Sequence, residues 1–475
     1  MNGYKYLLKN IGILTLSQFG TRLLSFFLVP LYTNVLSTVE YGTYDLFTTT
    51  INLLVPIITL NISDAVLLYA LDKTKNRSAV FSIGLKYITI GSIVSVVFLV
   101  LNAVFGIFQA INDYWFYFPI LFVLTALNVL LCGFARGIDR VKETAIGGII
   151  CSATMIGCNL LFLLVFKWGI HGYFIANIIA IFLQTFYLFV ACHMWNYIKL
   201  KPNRGLETEM RQYSMPLIAN NVGWWINSSS DRYVVTWMCG ISSNGIYSVG
   251  YKIPSILNMF QSIFSQAWTM SAVKDFDSED SRGFFSTTYS IYNCGMVIIC
   301  SAIILTSRLL AYILYAKEFF RAWQYVPFLT IAIVFGSLSG FLGGIFAATK
   351  NSKLFGQSTL WGAAINTVLN IVLVCYCGTL GAAIATLVAY FAVWVIRLRH
   401  VKKNISIKFN IRRDLLSYLL LVLQGLLFFL FADGFLLYFL ESILFMLVVL
   451  LYKNELKNTV RSMINKFRRG EALDV

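Results

Sequence analysis

About fourteen apolar blocks divide this chain, each long enough to cross a bilayer, and no other property narrows the fold so far. A hydrocarbon core of about 30 Å takes about 20 apolar residues as a helix. The blocks lie at Ile11–Leu36, Tyr44–Tyr69, Ile83–Ile107, Trp115–Phe134, Thr144–Phe166, Gly172–Trp195, Tyr213–Cys239, Tyr247–Met270, Tyr289–Leu314, Val326–Ala348, Leu354–Cys375, Leu380–Arg397, Leu415–Ala432 and Phe435–Tyr452. Charged residues are 12% of the 475 and hydrophobic residues 58%. A soluble domain carries about 25% charged residues, so this composition excludes a water-clothed surface. The expected fold is an all-α polytopic membrane protein.

Net charge is +16, and its placement says more than its size. The two ends and every second loop together hold twenty-nine Lys and Arg residues; the intervening loops hold only Lys167, Lys317 and Arg321. The positive-inside rule then puts both termini in the cytoplasm, which requires an even number of spans. Topology and anionic lipid head groups account for the basic tails, so no nucleic-acid partner is expected. The first apolar run is too long for a signal-peptide core and is expected to stay as a helix. Alkaline phosphatase and a cytoplasmic reporter fused after Gly378 and after Lys403 should give opposite signals; equal signals would defeat this topology.

The sequence is written twice. Glu40-Tyr41-Gly42-Thr43-Tyr44 and Ser243-Asn244-Gly245-Ile246-Tyr247 each join the first two spans of a half, 203 residues apart. Pro119 and Pro327, and Lys142 and Lys350, share an offset of 208. Asn159 through Gly172 recurs, two residues shorter, as Asn370 through Gly381. A near-constant offset over six spans predicts six-helix lobes at 1–200 and 201–407, with two further helices and a basic tail at 408–475. Each lobe has an even span count, so the repeat is parallel. Such repeats place substrate between them near the midplane.

An ionisable side chain at the bilayer centre costs about 2.5–3.5 kcal/mol, so each one asks for a reason. Gln18, Arg22 and Ser25 share a face of span one, with Arg22 near its middle. Asn220, Trp224, Asn227, Ser228 and Asp231 form a stripe in span seven, with Arg232 beside it, and Lys252 lies inside span eight. Asp45, Thr48 and Asn52 line one side of span two. Gln18, Arg22, Asn52, Asn220, Trp224, Asn227, Asp231, Arg232 and Lys252 are the expected substrate contacts. Asn61 and Asp64 lie at the far end of span two, where Asp64 reads as a loop lock, and Lys86 and Arg308 read as interfacial snorkelling residues. Guanidinium forks phosphate oxygens while amides, hydroxyls and aromatic rings suit sugars, so the pattern fits a phosphate-bearing, hydroxyl-rich substrate.

No metal-ligand spacing or catalytic motif stands out among the three histidines and nine cysteines, and most of the cysteines read as small buried hydrophobes. The expectation is a transporter, with no metal and no catalytic residues.

At Leu36 to Tyr44, at Asp231-Arg232 followed by Gly245 to Ser248 and Tyr251 to Pro254, and at Asn370 to Thr386, the chain resembles the polysaccharide-export flippases of the multidrug/oligosaccharidyl-lipid/polysaccharide (MOP) superfamily. The resemblance covers about residues 5–400. It implies two six-helix bundles arranged as a V that move undecaprenyl-diphosphate-linked oligosaccharide across a bacterial cytoplasmic membrane by alternating access, for O-antigen, capsule or exopolysaccharide. Lipid II flippases of the superfamily look similar around Thr21-Arg22-Leu23, which implies that Arg22 lines a central cavity. A polysaccharide polymerase and a chain-length regulator are implied partners, beside membrane lipids. No cofactor is implied; coupling to an H⁺ or Na⁺ gradient or to membrane potential is. Two rivals stand: a cation antiporter of the same fold, which should have an acidic and apolar site, and a membrane glycosyltransferase or polymerase, which should have a long outer loop.

Overall fold

The computed structural model describes residues 26–106, 109–199, 204–274, 277, 279–281, 283–349, 352–404, 407–458 and 461. Among these residues every regular element is helical, and the chain is an all-α polytopic membrane protein. The helices are α1 (Val29–Val35), α2 (Thr38–Ile58), α3 (Ile62–Leu71), α4 (Arg77–Phe105), α5 (Gln109–Asp113), α6 (Tyr117–Gly137), α7 (Val141–Asn159), α8 (Gly169–Ala191) and α9 (Arg204–Ser229). There follow α10 (Asp231–Cys239), α11 (Ile241–Gly250), α12 (Ser255–Lys274), α13 (Phe284–Leu314), α14 (Val326–Ala348), α15 (Ser352–Cys377), α16 (Thr379–Asn404), α17 (Ile411–Leu430) and α18 (Phe435–Leu451).

Each expected span from the second to the fourteenth coincides with a helix or a consecutive pair of helices. The first lies mostly outside the described residues. Nine described helices are long and apolar enough to cross a membrane, or ten if the bent pair α2–α3 is one span. The other expected spans miss that standard for visible reasons. α9 carries the Asn220–Asn227 stripe, α11 and α12 are separated at Tyr251–Pro254, and α18 has 17 residues.

Local sequence sets the helix ends. Ser37 and Glu40 form a reciprocal capping box at α2: Ser37 N donates to Glu40 Oε2 at 2.8 Å, and Glu40 N donates to Ser37 Oγ at 3.2 Å. Asn76 caps α4 by accepting from Ser78 N. Gly106 closes α4 with φ +63°, a backbone conformation that a side chain resists.

The chain divides into two compact units, 1–248 and 249–475. This boundary records which helices touch, whereas the repeat boundary near residue 200 records where the sequence pattern restarts. In the first unit α9 packs on α2, α3 and α4. Its interior is aromatic: Tyr44 meets Tyr173 at 4.0 Å between ring centroids, Phe47 meets Phe174 at 4.9 Å, and Tyr117 stacks on Phe174 at 4.6 Å.

In the second unit α14 lies innermost, against α12, α13 and α16. Arg397 on α16 is 1% exposed; its Nε, Nη1 and Nη2 donate to Ser358 Oγ, Ser339 O and Thr359 Oγ1 at 2.8–3.0 Å, and it stacks on Phe355. The last two helices bury a polar seam against α13. Tyr418 Oη donates to Asn293 Oδ1 and Asn293 Nδ2 to Tyr452 Oη, both at 3.0 Å; Arg413 pairs with Asp414 at 2.9 Å and also with Glu455. Further along, Ser301 Oγ donates to Gln424 Oε1 at 2.6 Å, and Gln424 Nε2 donates to Glu441 Oε2 at 3.0 Å. Arg308 corrects an expectation. It does not snorkel but is buried on Trp323 at 4.1 Å, pairing with Asp433 and donating to Phe428 O. Asp433, supplied 125 residues away, is what keeps its charge inside.

Candidate functional site

The site begins at the break between α2 and α3. Pro56 has no N–H to give the Asn52 carbonyl, so one helical bond is missing there. The Pro56 carbonyl instead accepts from Asn61 N at 2.7 Å. Leu60 and Asn61 both take positive φ, 53° and 51°, and the chain restarts as α3 at 61° to α2. Asp64 then sits in the first turn of α3 and accepts from Asn61 Nδ2 at 2.7 Å.

This bend opens a cavity of about 370 Å³ within the first unit, between α2–α3, α6 and α9. Asn52, Thr59, Asn61, Ser63, Asp64, Thr125 and Asn221 supply its polar wall; Trp224, Trp225, Pro56, Leu53, Val55, Val129 and Val222 supply the rest. Trp225 is oriented by its indole N–H, which donates to Thr49 O at 3.1 Å. Asp64 is the one ionisable residue among the described residues of this lining.

A second polar cluster joins α2 to α10 and α11. Asp45 Oδ2 is 3.1 Å from Arg232 Nε, an ion pair without hydrogen-bond alignment, and accepts from Ser248 Oγ at 2.6 Å. Arg232 Nη1 also reaches Thr49 Oγ1 at 3.3 Å and Ser229 Oγ at 3.4 Å. Asp231 is buried and accepts from Tyr247 Oη at 2.6 Å. Tyr233 Oη and Thr50 Oγ1 lie 2.5 Å apart. Beyond this cluster α2 and α11 touch through backbone. A Cβ on Gly42 would stand 2.2 Å from Ile241 O, and one on Gly245 would stand 2.0 Å from Thr38 O. Asn244 Nδ2 donates to Gly42 O at 3.2 Å and Thr38 meets Ser242 at 2.7 Å. The two glycines are the repeat-equivalent positions read from the sequence, so the crossing is nearly reciprocal.

The expected contacts are thus distributed. Asn52 and Trp224 line the cavity. Asp231 and Arg232 belong to the polar cluster of the same unit. Asn227 is buried and donates to its own helix at Gly223 O, and Asn220 is exposed. Lys252 stands in the turn between α11 and α12, in the second unit; its carbonyl accepts from Ser255 Oγ at 2.6 Å. Gln18 and Arg22 lie outside the described residues. Asp64 accepts from Asn61 at the α2–α3 break, and both residues face the cavity. Thr59, Thr125, Asn221 and Trp225 were not singled out by sequence; Pro56 marks the break beside Thr59, but no sequence signal connects Thr125, Asn221 or Trp225 to it. Among the described residues no cluster of three or more His, Cys, Asp or Glu could hold a metal ion.

Three comparisons bear on this arrangement. A family model described as polysaccharide biosynthesis protein matches residues 7–269. The probable low-salt glycan biosynthesis flippase Agl15 of Haloferax volcanii is 23% identical over 312 residues, covering 63% of this chain and 63% of that protein. The chain therefore spans less than two thirds of that relative's length. Among solved structures, the lipid II flippase MurJ in an inward closed conformation superposes with a TM-score of 0.68 at 16% identity, over 94% of this chain and 99% of the other. An inward-facing multidrug resistance transporter of the MATE family, in the MOP superfamily, gives 0.67 at 12% identity, over 81% and 94%. At these identities the likeness is one of fold.

Proposed function

This chain belongs to the polysaccharide biosynthesis protein family, and on that premise we propose that it is a flippase. It carries undecaprenyl-diphosphate-linked oligosaccharide repeat units across a bacterial cytoplasmic membrane by alternating access, for surface polysaccharide such as O-antigen, capsule or exopolysaccharide. It is a transporter and not an enzyme. Both termini face the cytoplasm, and a polysaccharide polymerase and a chain-length regulator receive its product. An H⁺ or Na⁺ gradient or the membrane potential supplies the driving force.

The observation that carries this reading is the cavity beside α2–α3. Seven hydrogen-bonding side chains and two tryptophans line a pocket in membrane-embedded helices, and that wall suits a polyhydroxylated guest. An antiporter for organic cations shares the fold, but its site calls for an acid awaiting a cation. The described lining here has one acid among six neutral hydrogen-bonding side chains.

Arg22 is the proposed diphosphate ligand, because it is the deepest cation of span one and guanidinium forks phosphate oxygens. Deleting the gene should leave lipid-linked sugar on the cytoplasmic leaflet. Wild-type chain should clear it, while Arg22→Ala should insert at normal abundance and fail to. Arg22→Lys should retain part of the activity, since a point charge survives without the fork. Full clearance by the alanine variant would remove Arg22 from the site, and no accumulation in the deletion strain would end the flippase reading.

A further inference from the structure

The cavity at the α2–α3 break lacks something that a lipid-linked glycan requires. A diphosphate carries more than one negative charge, and desolvating it needs guanidinium, ammonium or a fan of N–H donors. Among the described residues no Lys, Arg or His is in the lining, and the one ionisable side chain there, Asp64, is of the wrong sign. The described lining therefore offers a diphosphate no cation.

A sugar has the opposite needs. Its hydroxyls are donors and acceptors together, so a carboxylate can accept two of them while amides answer the others. Its C–H faces lie well against the flat face of an indole. Asp64, Asn61, Asn52 and Asn221 stand in one pocket with Trp224 and Trp225. Asp64 is exposed on the folded chain, although it sits in the first turn of a helix and is fixed by Asn61 at 2.7 Å. A volume of about 370 Å³ is at the small end of ligand sites, which run from about 300 to 1,000 Å³. That is too little for a lipid diphosphate with its glycan and enough for one or two sugar rings.

We propose that this cavity is a glycan subsite, separate from the diphosphate site, in which Asp64 and the neighbouring amides bind sugar hydroxyls and Trp224 packs on a ring face. The inference rests on the flippase reading and adds a division of labour to it. Cationic residues hold the carrier's diphosphate, and the kinked span two reads the sugar. Selectivity among glycans then resides in α2–α3, α6 and α9, and exchanging Asn52, Thr125 or Asn221 should change which glycan is preferred without changing the carrier.

The test uses the full chain in nanodiscs and two probes: lipid-linked glycan extracted from the deletion strain, and the same polyprenyl diphosphate stripped of sugar. Asp64→Asn keeps the shape and removes the charge. Trp224→Ala removes the platform, and Trp224→Phe keeps a smaller one. Asp64→Asn and Trp224→Ala should each weaken the glycosylated lipid about tenfold, the first by losing a charge-assisted contact and the second by losing the apolar ring platform. Both should leave the stripped carrier unchanged, and Trp224→Phe should recover most of the loss. Equal weakening of both lipids, or of neither, overturns the subsite. So does Asp64-dependent binding of tetraphenylphosphonium, which would make the pocket a cation site. If wild-type chain binds neither lipid, the flippase reading itself fails, and a monodisperse, folded sample at each step separates these outcomes from misfolding.

Discussion

Gly42→Ala and Gly245→Ala should each lower the melting temperature of the purified chain sharply, although alanine is the mildest substitution a helix can receive. The added methyl group at position 42 would stand 2.2 Å from the Ile241 carbonyl oxygen, and at position 245 it would stand 2.0 Å from the Thr38 carbonyl oxygen. Both obstacles are backbone, so no rotamer change relieves them and the two helices must separate. Overpacking of a fixed interior costs about 1–3 kcal/mol, and these contacts belong at the upper end. Separation also strains the bonds from Asn244 to Gly42 and between Thr38 and Ser242. Gly157 and Gly295 are the internal controls, since a Cβ there meets nothing within 4 Å. Alanine at those helical positions should be neutral or stabilising by about 0.5–1 kcal/mol, the ordinary gain from a stiffer helix. Thermal unfolding of the four variants decides the matter: equal melting points would mean that the α2–α11 crossing is not tight.

These glycines were legible in the sequence because the repeat put them at equivalent places, Gly42 after Glu40-Tyr41 and Gly245 after Ser243-Asn244. What the repeat could not say is that the equivalent glycines touch each other. Helices were legible for a simpler reason: a run of about twenty apolar residues has few alternatives in a bilayer. Partial legibility marks the kinked span. Pro56 announces a weakened helix, but the 61° bend and the left-handed Leu60 and Asn61 depend on packing against α6 and α9. Trp225 and Thr125 meet in the cavity only because helices distant in sequence converge.

The second unit shows the same limit from another side. Arg308 near a span end has the sequence signature of a residue reaching for the interface. Its burial becomes affordable only through Asp433 and the Trp323 ring, which sequence spacing does not connect. Ser301, Gln424 and Glu441 likewise lie on three different helices, and each alone reads as an isolated polar residue in an apolar run. A hydrophobicity profile averages such residues away. Pairing turns them into a seam that ties α17 and α18 to α13.

Arg232→Ala should destabilise the first unit and abolish export, and the cause of the second effect can be separated from the first. Arg232 and Asp45 are each 18% exposed in their side chains, so the pair is mostly but not wholly withdrawn from solvent. Removing one partner of a buried pair costs about 3–5 kcal/mol, because the remaining charge is stranded. Here Ser248 still donates to Asp45 and solvent reaches the pair, so the low end of that range applies. Asp45→Asn together with Arg232→Gln removes both charges and leaves hydrogen-bonding groups of similar size. Stability should then return to near the wild-type value. On the proposed function export should stay low, because a lipid diphosphate calls for guanidinium groups and Arg232 is the cation set between α2 and α10 among the described residues. The rival account makes Arg232 a strut whose only task is to hold α2 against α10. Under that account the neutral pair restores export along with melting temperature. Export normalised to folded membrane protein distinguishes the two, and a double variant that is both stable and fully active would remove Arg232 from substrate handling.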